Sequence, residues 1–415
     1  MGRHPDQLVE SGCQSGGAVD ITWNKRQLEI RERFHEIATD LVAVGTDARD
    51  RDGSFDRGIW KDLAATDFWR LQVPAEIGGA GQDSWDWLAA MEGLSLGARD
   101  LGFLMSVASQ SGLIRLLVTA GTAKQQDTWL PGLTSGEIAA TGSTEESGGS
   151  DIRGISTRAV PAAAGGFILN GGKAHITNAP VADVVMVAAR TDTGSGAFEL
   201  SLFVTRTDID GVEIGPGEEL LGLRTSPTGP ITFRDVHVDS DAVIGGVGEG
   251  LKRLYSTLAY DRILFGIIVG SSLEAQLEPL LRQLETRRAF GAPLSGQQYM
   301  QEKVVSLAMA VEGSRALAYR SFGQLDGWHD GYSLGASVTK LFASTGLVGS
   351  GLDLVQAFGH SGYESGSAME RNLRDSVAFK IAAGTDEMQK KNIFNHVRRA
   401  YRTGELAHGS RGSGT

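Results

Sequence analysis

Helical periodicity runs through the first third of this chain, stops near residue 138 and returns at Gly250. Between those points lie short β-prone runs: 166–169, 183–189, 199–205 and 231–238, punctuated by turns such as Asn170-Gly171-Gly172 and Asp210-Gly211. No helix-length segment separates them, which predicts an antiparallel barrel or sandwich inserted between two helical blocks. The expected α+β architecture has a loose tail over 1–20, a helical domain over 21–138 and a middle β-barrel domain over 139–247. A C-terminal four-helix bundle over 248–404 and a Gly/Ser-rich tail over 405–415 complete it.

Within the first block, residues 21–44 carry apolar side chains at helical spacing (Leu28, Ile30, Phe34, Ile37, Leu41). A second helix should follow Asp56 and carry Trp60, Leu63 and Phe68. Helical segments are expected at 84–97 and 101–120, then a short one from Thr122 to Trp129 that ends before Pro131. In the last block three long helices fit 250–287, 296–325 and 332–359.

The helix beginning near Gly250 has an apolar stripe at 254, 258, 265 and 268, and the member at 261 is an aspartate. Asp261 therefore points at the core or at a cleft. A lone buried carboxylate costs several kcal/mol. It must be paired, hydrogen-bonded or functional, and an ion pair with an arginine of another helix would satisfy it. Burial would also raise its pKa toward that of a useful base.

Composition removes several chemistries. There is one cysteine, Cys13, among 415 residues, and eight histidines are scattered, so disulfides and thiolate metal clusters are excluded. The net charge of −11 argues against nucleic acid or an anionic membrane as the main partner. No targeting segment is evident, and the purely apolar run Leu264–Gly270 is short for a membrane span, so a cytoplasmic protein is expected. Gly246-Val-Gly248-Glu-Gly250 is Gly-rich ahead of a helix but lacks the strand–helix unit of a dinucleotide fold. Ser337-Val-Thr-Lys340 matches Ser-x-x-Lys in mid-helix, without a supporting motif.

Seven collinear segments resemble the acyl-CoA dehydrogenase superfamily of flavoproteins. They are Val73-Pro-Ala-Glu-Ile-Gly-Gly79-Ala-Gly81, Gly121-Thr-Ala-Lys-Gln-Gln126, Trp129-Leu-Pro-Gly through Glu137, and Thr144-Glu-Glu-Ser-Gly-Gly-Ser150-Asp151. Leu169-Asn-Gly-Gly-Lys173-Ala-His-Ile-Thr177-Asn178, Leu223-Arg-Thr-Ser226-Pro-Thr and Arg287-Arg-Ala-Phe290-Gly-Ala-Pro-Leu complete the set. The resemblance implies FAD as cofactor. It places Thr144 and Thr177 at the flavin ring edge, His175 where a tryptophan usually packs beside it, and Thr385 in the same cofactor set. Ser150 and Ser226 fall in the flavin and thioester region, where ordinary turn serines would look the same. Arg287, Phe290, Gln298, Gln356 and Gly359 match a dinucleotide site shared with a neighbouring subunit, implying a homodimer or homotetramer. Without the motif, Gln298 reads as a helix-surface amide.

Two departures bear on mechanism. The stretch that usually holds the catalytic glutamate reads Ile381-Ala-Ala383-Gly-Thr-Asp-Glu-Met-Gln389, so the base position holds Ala383, which takes no proton. Ala382 stands where an aromatic ring is usual, widening the pocket. A minority of the family places the base on the first long C-terminal helix, immediately before an arginine, and the residue before Arg262 is Asp261. The resemblance thus implies α,β-dehydrogenation of an acyl thioester. It is most similar to biosynthetic members acting on acyl or aminoacyl groups held on carrier proteins, with Asp261 as base and Ser226, Arg262, Ala382 and Ala383 beside the substrate. Electron-transfer flavoprotein is a partner this reading implies. A CoA-thioester dehydrogenase, a flavin monooxygenase, a base-using non-redox flavoprotein and a non-catalytic scaffold are the competing readings.

Overall fold

The computed structural model describes residues 23–191, 198–327, 329 and 331–404. The tails expected over 1–20 and 405–415, with Cys13, lie outside the described residues.

The N-terminal block contains α1 (Lys25–Ile37), α2 (Thr46–Asp52), α3 (Arg57–Ala65), α4 (Ser84–Ala98), α5 (Leu101–Ala120) and α6 (Ala123–Thr134). Capping chemistry sets several starts: the Asp83 carboxylate accepts from Asp86 N, and Asp100 accepts from Phe103 N. Thr122 and Gln125 form a reciprocal capping box on α6. Helix α6 does not stop before Pro131 as expected. It runs to Thr134 with the proline inside, forfeiting one backbone bond. Phe68, expected on α3, lies past its end yet is fully buried.

The middle block contains β1 (Ala139–Gly142), β2 (Arg158–Pro161), β3 (Phe167–Thr177), β4 (Val184–Thr191), β5 (Leu200–Arg206), β6 (Val212–Ile214), β7 (Thr228–Val238) and β8 (Val243–Ile244). Their order is β6-β7-β3-β2-β4-β5-β8, with β1 added beside β4. The pairing is mixed, correcting the antiparallel expectation: β1 and β2 both run parallel to β4. Parallel partners need a long crossover. Here β3 and its flanking loops provide one between β2 and β4.

The C-terminal block is α7 (Gly250–Thr286), the small hairpin β9 (Arg288–Ala289) and β10 (Ala292–Pro293), α8 (Gln298–Asp326), α9 (Tyr332–Phe358), α10 (His360–Tyr363), α11 (Ala368–Ala378) and α12 (Asp386–Arg402). Helices α7, α8 and α9 pack on one another, and α4 and α5 of the first block pack on α7. One apolar core therefore runs continuously from the N-terminal to the C-terminal helices. A second core fills one face of the sheet.

Helices α5, α7 and α9 are long and apolar enough to cross a membrane by length and composition alone. None of the three contains an uninterrupted apolar run of that length, since polar residues punctuate each helix. Most of the apolar stretch is buried in α5 and α7, and in α9 only 39% of it is.

Candidate active site

Helix α7 presents Leu254, Phe265 and Ile268 to the core, and Asp261 takes its place in that row. The residue opposite is Gly112 of α5. A methyl group there would lie 3.1 Å from Asp261 Oδ1 and 3.3 Å from Thr257 Cγ2, so only glycine leaves this space free. The Asp261 carboxylate accepts no hydrogen bond from any described residue, and its Oδ1 is sealed and unpartnered. The residue as a whole keeps partial exposure through its remaining atoms. Desolvation raises its pKa to about 7, and the neighbouring Arg262 charge offsets this only in part.

Arg262 is buried, and its Nε donates to the carbonyl of Ala383 at 2.9 Å. The two departures read from the sequence thus meet in space. Ala383 and Gly384 are both left-handed, with φ of 52° and 86°. The tight turn they form is closed by Gln389 Nε2 donating to Gly384 O at 2.7 Å. Asp386 anchors its far end, accepting from Lys340 Nζ at 2.7 Å and Ser344 Oγ at 2.8 Å, with Lys380 also donating. Lys340 is therefore a structural cation, which disposes of the Ser337-x-x-Lys340 pattern as a nucleophile site. Thr385 spends its hydroxyl as the N-cap of α12. Ala382 and Ala383 both pack on the main core.

Behind the base, the buried Tyr260 hydroxyl accepts from Trp87 Nε1 at 2.6 Å and Gln72 Nε2 at 3.0 Å. These donors, like Gly112, were not found by sequence reasoning. A glycine inside a helix or a glutamine in a turn carries no signal until the fold gives it a neighbour.

The middle block contributes a second wall. Asn178, at the end of β3, donates to Ser106 O on α5 and to Ala139 O on β1, at 3.1 and 3.0 Å. Ser226 is buried at the same place, its hydroxyl 2.9 Å from that of Ser106. Thr144 is fixed beside β3 by the Ala174 N to Thr144 O bond of 3.0 Å. Beneath it, Lys173 and Glu145 form a buried pair at 2.7 Å. Desolvation pushes Glu145 up, but hydrogen bonds from Lys173, Ser156 and Thr157 outweigh it and hold the carboxyl at about 2. His175 sits at a register shift of β3 with φ of 58°, turned outward against Glu218 at 3.0 Å.

The hydroxyls of Thr144, Ser150 and Thr177 have no hydrogen-bond partner among the described residues, and none of these residues is buried. Free donors on adjacent segments fit the polar edge of a flavin. Arg287, Phe290 and Gln298 lie elsewhere, on the corner between α7 and α8. Lys303 of α8, between one and two turns from Gln298, donates to Gln356 of α9 at 2.7 Å, within one turn of Gly359. Along α7 this corner is about 40 Å from Asp261. Phe290 is 98% exposed and left-handed, an apolar ring held in solvent by a single chain.

A three-part helical, sheet and helical-bundle fold, with unpartnered hydroxyls on the sheet and an unpartnered carboxylate on α7, fits a flavoprotein dehydrogenase. The sequence matches the acyl-CoA dehydrogenase N-terminal domain over 24–137, the middle domain over 140–236 and the C-terminal domain over 248–397. The chain belongs to the acyl-CoA dehydrogenase family. It is an FAD-dependent oxidoreductase acting on a CH–CH bond.

Among its relatives, L-prolyl-[peptidyl-carrier protein] dehydrogenase of Pseudomonas fluorescens is 31% identical over 383 residues, covering 92% of this chain and all of that one. The human mitochondrial short-chain specific acyl-CoA dehydrogenase is 32% identical over 355 residues, covering 85% of each. The structure of PigA in complex with FAD superposes with a TM-score of 0.86 at 27% identity, covering 92% of this chain and 99% of that one.

Proposed function

We propose that this protein dehydrogenates an acyl or aminoacyl thioester carried on a carrier protein, with Asp261 as the catalytic base. The observation that carries the base assignment is a sealed carboxylate oxygen with no partner in the chain, facing a glycine, beside the turn where Ala383 leaves the usual position without an acid. An aspartate of ordinary acidity would be a poor base. One lifted to about 7 is half-ionised near neutrality and takes a proton efficiently.

Asp261 removes the proton from the α-carbon as hydride leaves the β-carbon, so the C–C bond becomes double with no further reactant. Bound FAD supplies the hydride acceptor. Arg262 spends its Nε on the Ala383 turn and makes no ion pair with Asp261. Ala382 and Ala383 leave room for a branched or cyclic acyl group. The carrier-bound substrate is supported by the full-length similarity to a prolyl carrier-protein dehydrogenase. A CoA thioester is the alternative, favoured by the comparable similarity to the short-chain enzyme.

The second half of the cofactor site comes from another copy of the chain. FAD is much shorter than the 40 Å between Asp261 and Arg287, and Phe290 is exposed at 98%. A homodimer or homotetramer brings the two ends together. Electron-transfer flavoprotein is the proposed acceptor.

The test is anaerobic. Holoenzyme mixed with prolyl or short-chain acyl thioesters, on holo-carrier protein and on CoA, should lose flavin absorbance. Asp261→Asn should retain FAD and bleach about 10³-fold more slowly, within the usual contribution of a general base. Rapid bleaching by that variant removes the base assignment. No bleaching by any thioester, with oxygen consumed once reduced flavin is supplied, would point to a monooxygenase instead.

A further inference from the structure

Between α5 and α7 a shallow cleft opens one helical turn from Asp261, lined by Arg115, Leu116, Thr119, Arg253, Ser256 and Thr257. Thr257 links it to the base, because its methyl group and Asp261 Oδ1 flank the same space at Gly112. Two guanidinium groups border the cleft, and neither makes an ion pair among the described residues, unlike Arg31 or Arg374 elsewhere in the chain. The Nε of Arg253 is buried and has no acceptor. That side chain lies against the left-handed Gly245, where an added methyl group would approach Nε to 3.0 Å. Gly245, just ahead of the Gly-rich turn before α7, thus leaves the space that Arg253 occupies. Arg115 is held by its guanidinium 5.0 Å over the ring of Tyr260, the residue preceding the base.

Unpaired arginines beside a cleft are a site for an oxyanion, and their forked geometry suits phosphate. The start of α7 adds its positive dipole end in the same place. Eight residues of helix, about 12 Å, separate Arg253 from Asp261. An extended pantetheine chain from thioester sulfur to phosphate spans roughly 15 Å.

Resting on the thioester reading above, we propose that Arg115 and Arg253 bind the phosphate of the substrate's phosphopantetheine arm, so that the arm lies in the α5–α7 cleft with its thioester end at Asp261. The two arginines measure the arm from its phosphate and set how deep the acyl group reaches. Carrier protein and CoA present this phosphate alike as far as the chemistry of the cleft is concerned.

Unreactive thioethers test this without turnover. Holoenzyme is titrated calorimetrically with the S-propyl thioethers of pantetheine and of 4′-phosphopantetheine. The phosphate should strengthen wild-type binding about tenfold or more. The Arg115→Gln/Arg253→Gln variant should bind both compounds equally, at the wild-type affinity for pantetheine, with its flavin absorbance retained. Arg253→Lys should keep part of the preference, which separates loss of charge from loss of structure. Thioethers on holo-carrier protein and on CoA form two further arms. The tighter of them names the source of the phosphate, and its affinity should fall in the double variant. Equal wild-type affinities for the two small thioethers, or a phosphate preference that survives both substitutions, overturns the site. Phosphate-dependent binding of the thioethers, with no flavin bleaching by any of the reactive thioesters, would sink the dehydrogenase reading alone. Bleaching without a phosphate preference would sink the arginine site alone.

Discussion

Asp261 and Asp386 flank the same turn and are opposites. Asp386 is buried and receives Lys340, Lys380 and Ser344. Desolvation works against its charge, yet these donors hold it below the usual carboxylate range. Asp261 receives no donor, and desolvation lifts it to about 7. A fold that satisfies one buried aspartate so fully, a few residues from Ala383, does not leave another bare by accident. The satisfied carboxylate holds the backbone. The bare one is kept for a group that the chain itself does not supply. Asp375 shows that a raised pKa alone is no guide: burial lifts it to about 7 as well, but it accepts Leu223 N at 2.6 Å and fixes a turn.

The largest contrast should be in stability. Asp386→Ala strands Lys340, whose side chain is fully buried, and should cost about 3–5 kcal/mol. Asp261→Asn removes a charge that has no partner, so it should leave the denaturant midpoint unchanged or raise it at pH 8. Urea titrations of the two holoenzyme variants make the comparison. A loss in Asp261→Asn as large as that in Asp386→Ala would mean that Asp261 is structural after all.

The pH dependence is a smaller but more specific effect. Asp261 goes from 3.8 to about 7 on folding, so the native state holds its proton more tightly than the unfolded chain. Its contribution is fully present below about pH 4 and is lost as pH rises through 7. The window is worth at most about 4 kcal/mol. Asp100 and Asp375 are raised too, so the quantity to measure is the difference between wild type and Asp261→Asn from pH 4 to 8. Activity should run the other way, because the base works ionised. The rate of flavin bleaching should climb through about pH 7 and level off above it. A rate that is flat from pH 5 to 9 contradicts a base with this pKa.

The contrast also explains what could be read from residues alone. Asp261 stood out because helical periodicity turns a single charge in an apolar row into an anomaly, and α7, α8 and α9 are long enough to make the row unmistakable. Their observed limits, Gly250–Thr286, Gln298–Asp326 and Tyr332–Phe358, differ by two residues or fewer from those expected. Short strands carry no such redundancy. Arg158–Pro161, Val212–Ile214 and Val243–Ile244 are too brief for alternation to register, and their pairing is decided by neighbours far along the chain. The partners in the site were hidden for the same reason. Lys173 meets Glu145 across 28 positions, and Gly112 meets Asp261 across nearly 150, so neither contact exists before the fold does.

The smallest expected effect is also the most direct check that the two sides of the turn address one reacting carbon. Placing glutamate at Ala383 within the Asp261→Asn background restores an acid at the position the family usually employs. The backbone should accept it, since Ala383 already bears the left-handed φ of 52° with a Cβ, and glutamate adds little to that strain. Ala382 leaves the neighbouring volume free of an aromatic ring, and the Arg262 bond to the Ala383 carbonyl does not involve the new side chain. The double variant should recover about tenfold in bleaching rate over Asp261→Asn, within the range of a general base in imperfect alignment. In the wild-type background the same glutamate should raise the pKa of Asp261 further by like-charge repulsion and slow bleaching at pH 7. If the double variant binds FAD and still bleaches no faster than Asp261→Asn, the Ala383 turn and α7 do not face the same α-carbon. Asp261 would then not replace the glutamate this chain has lost.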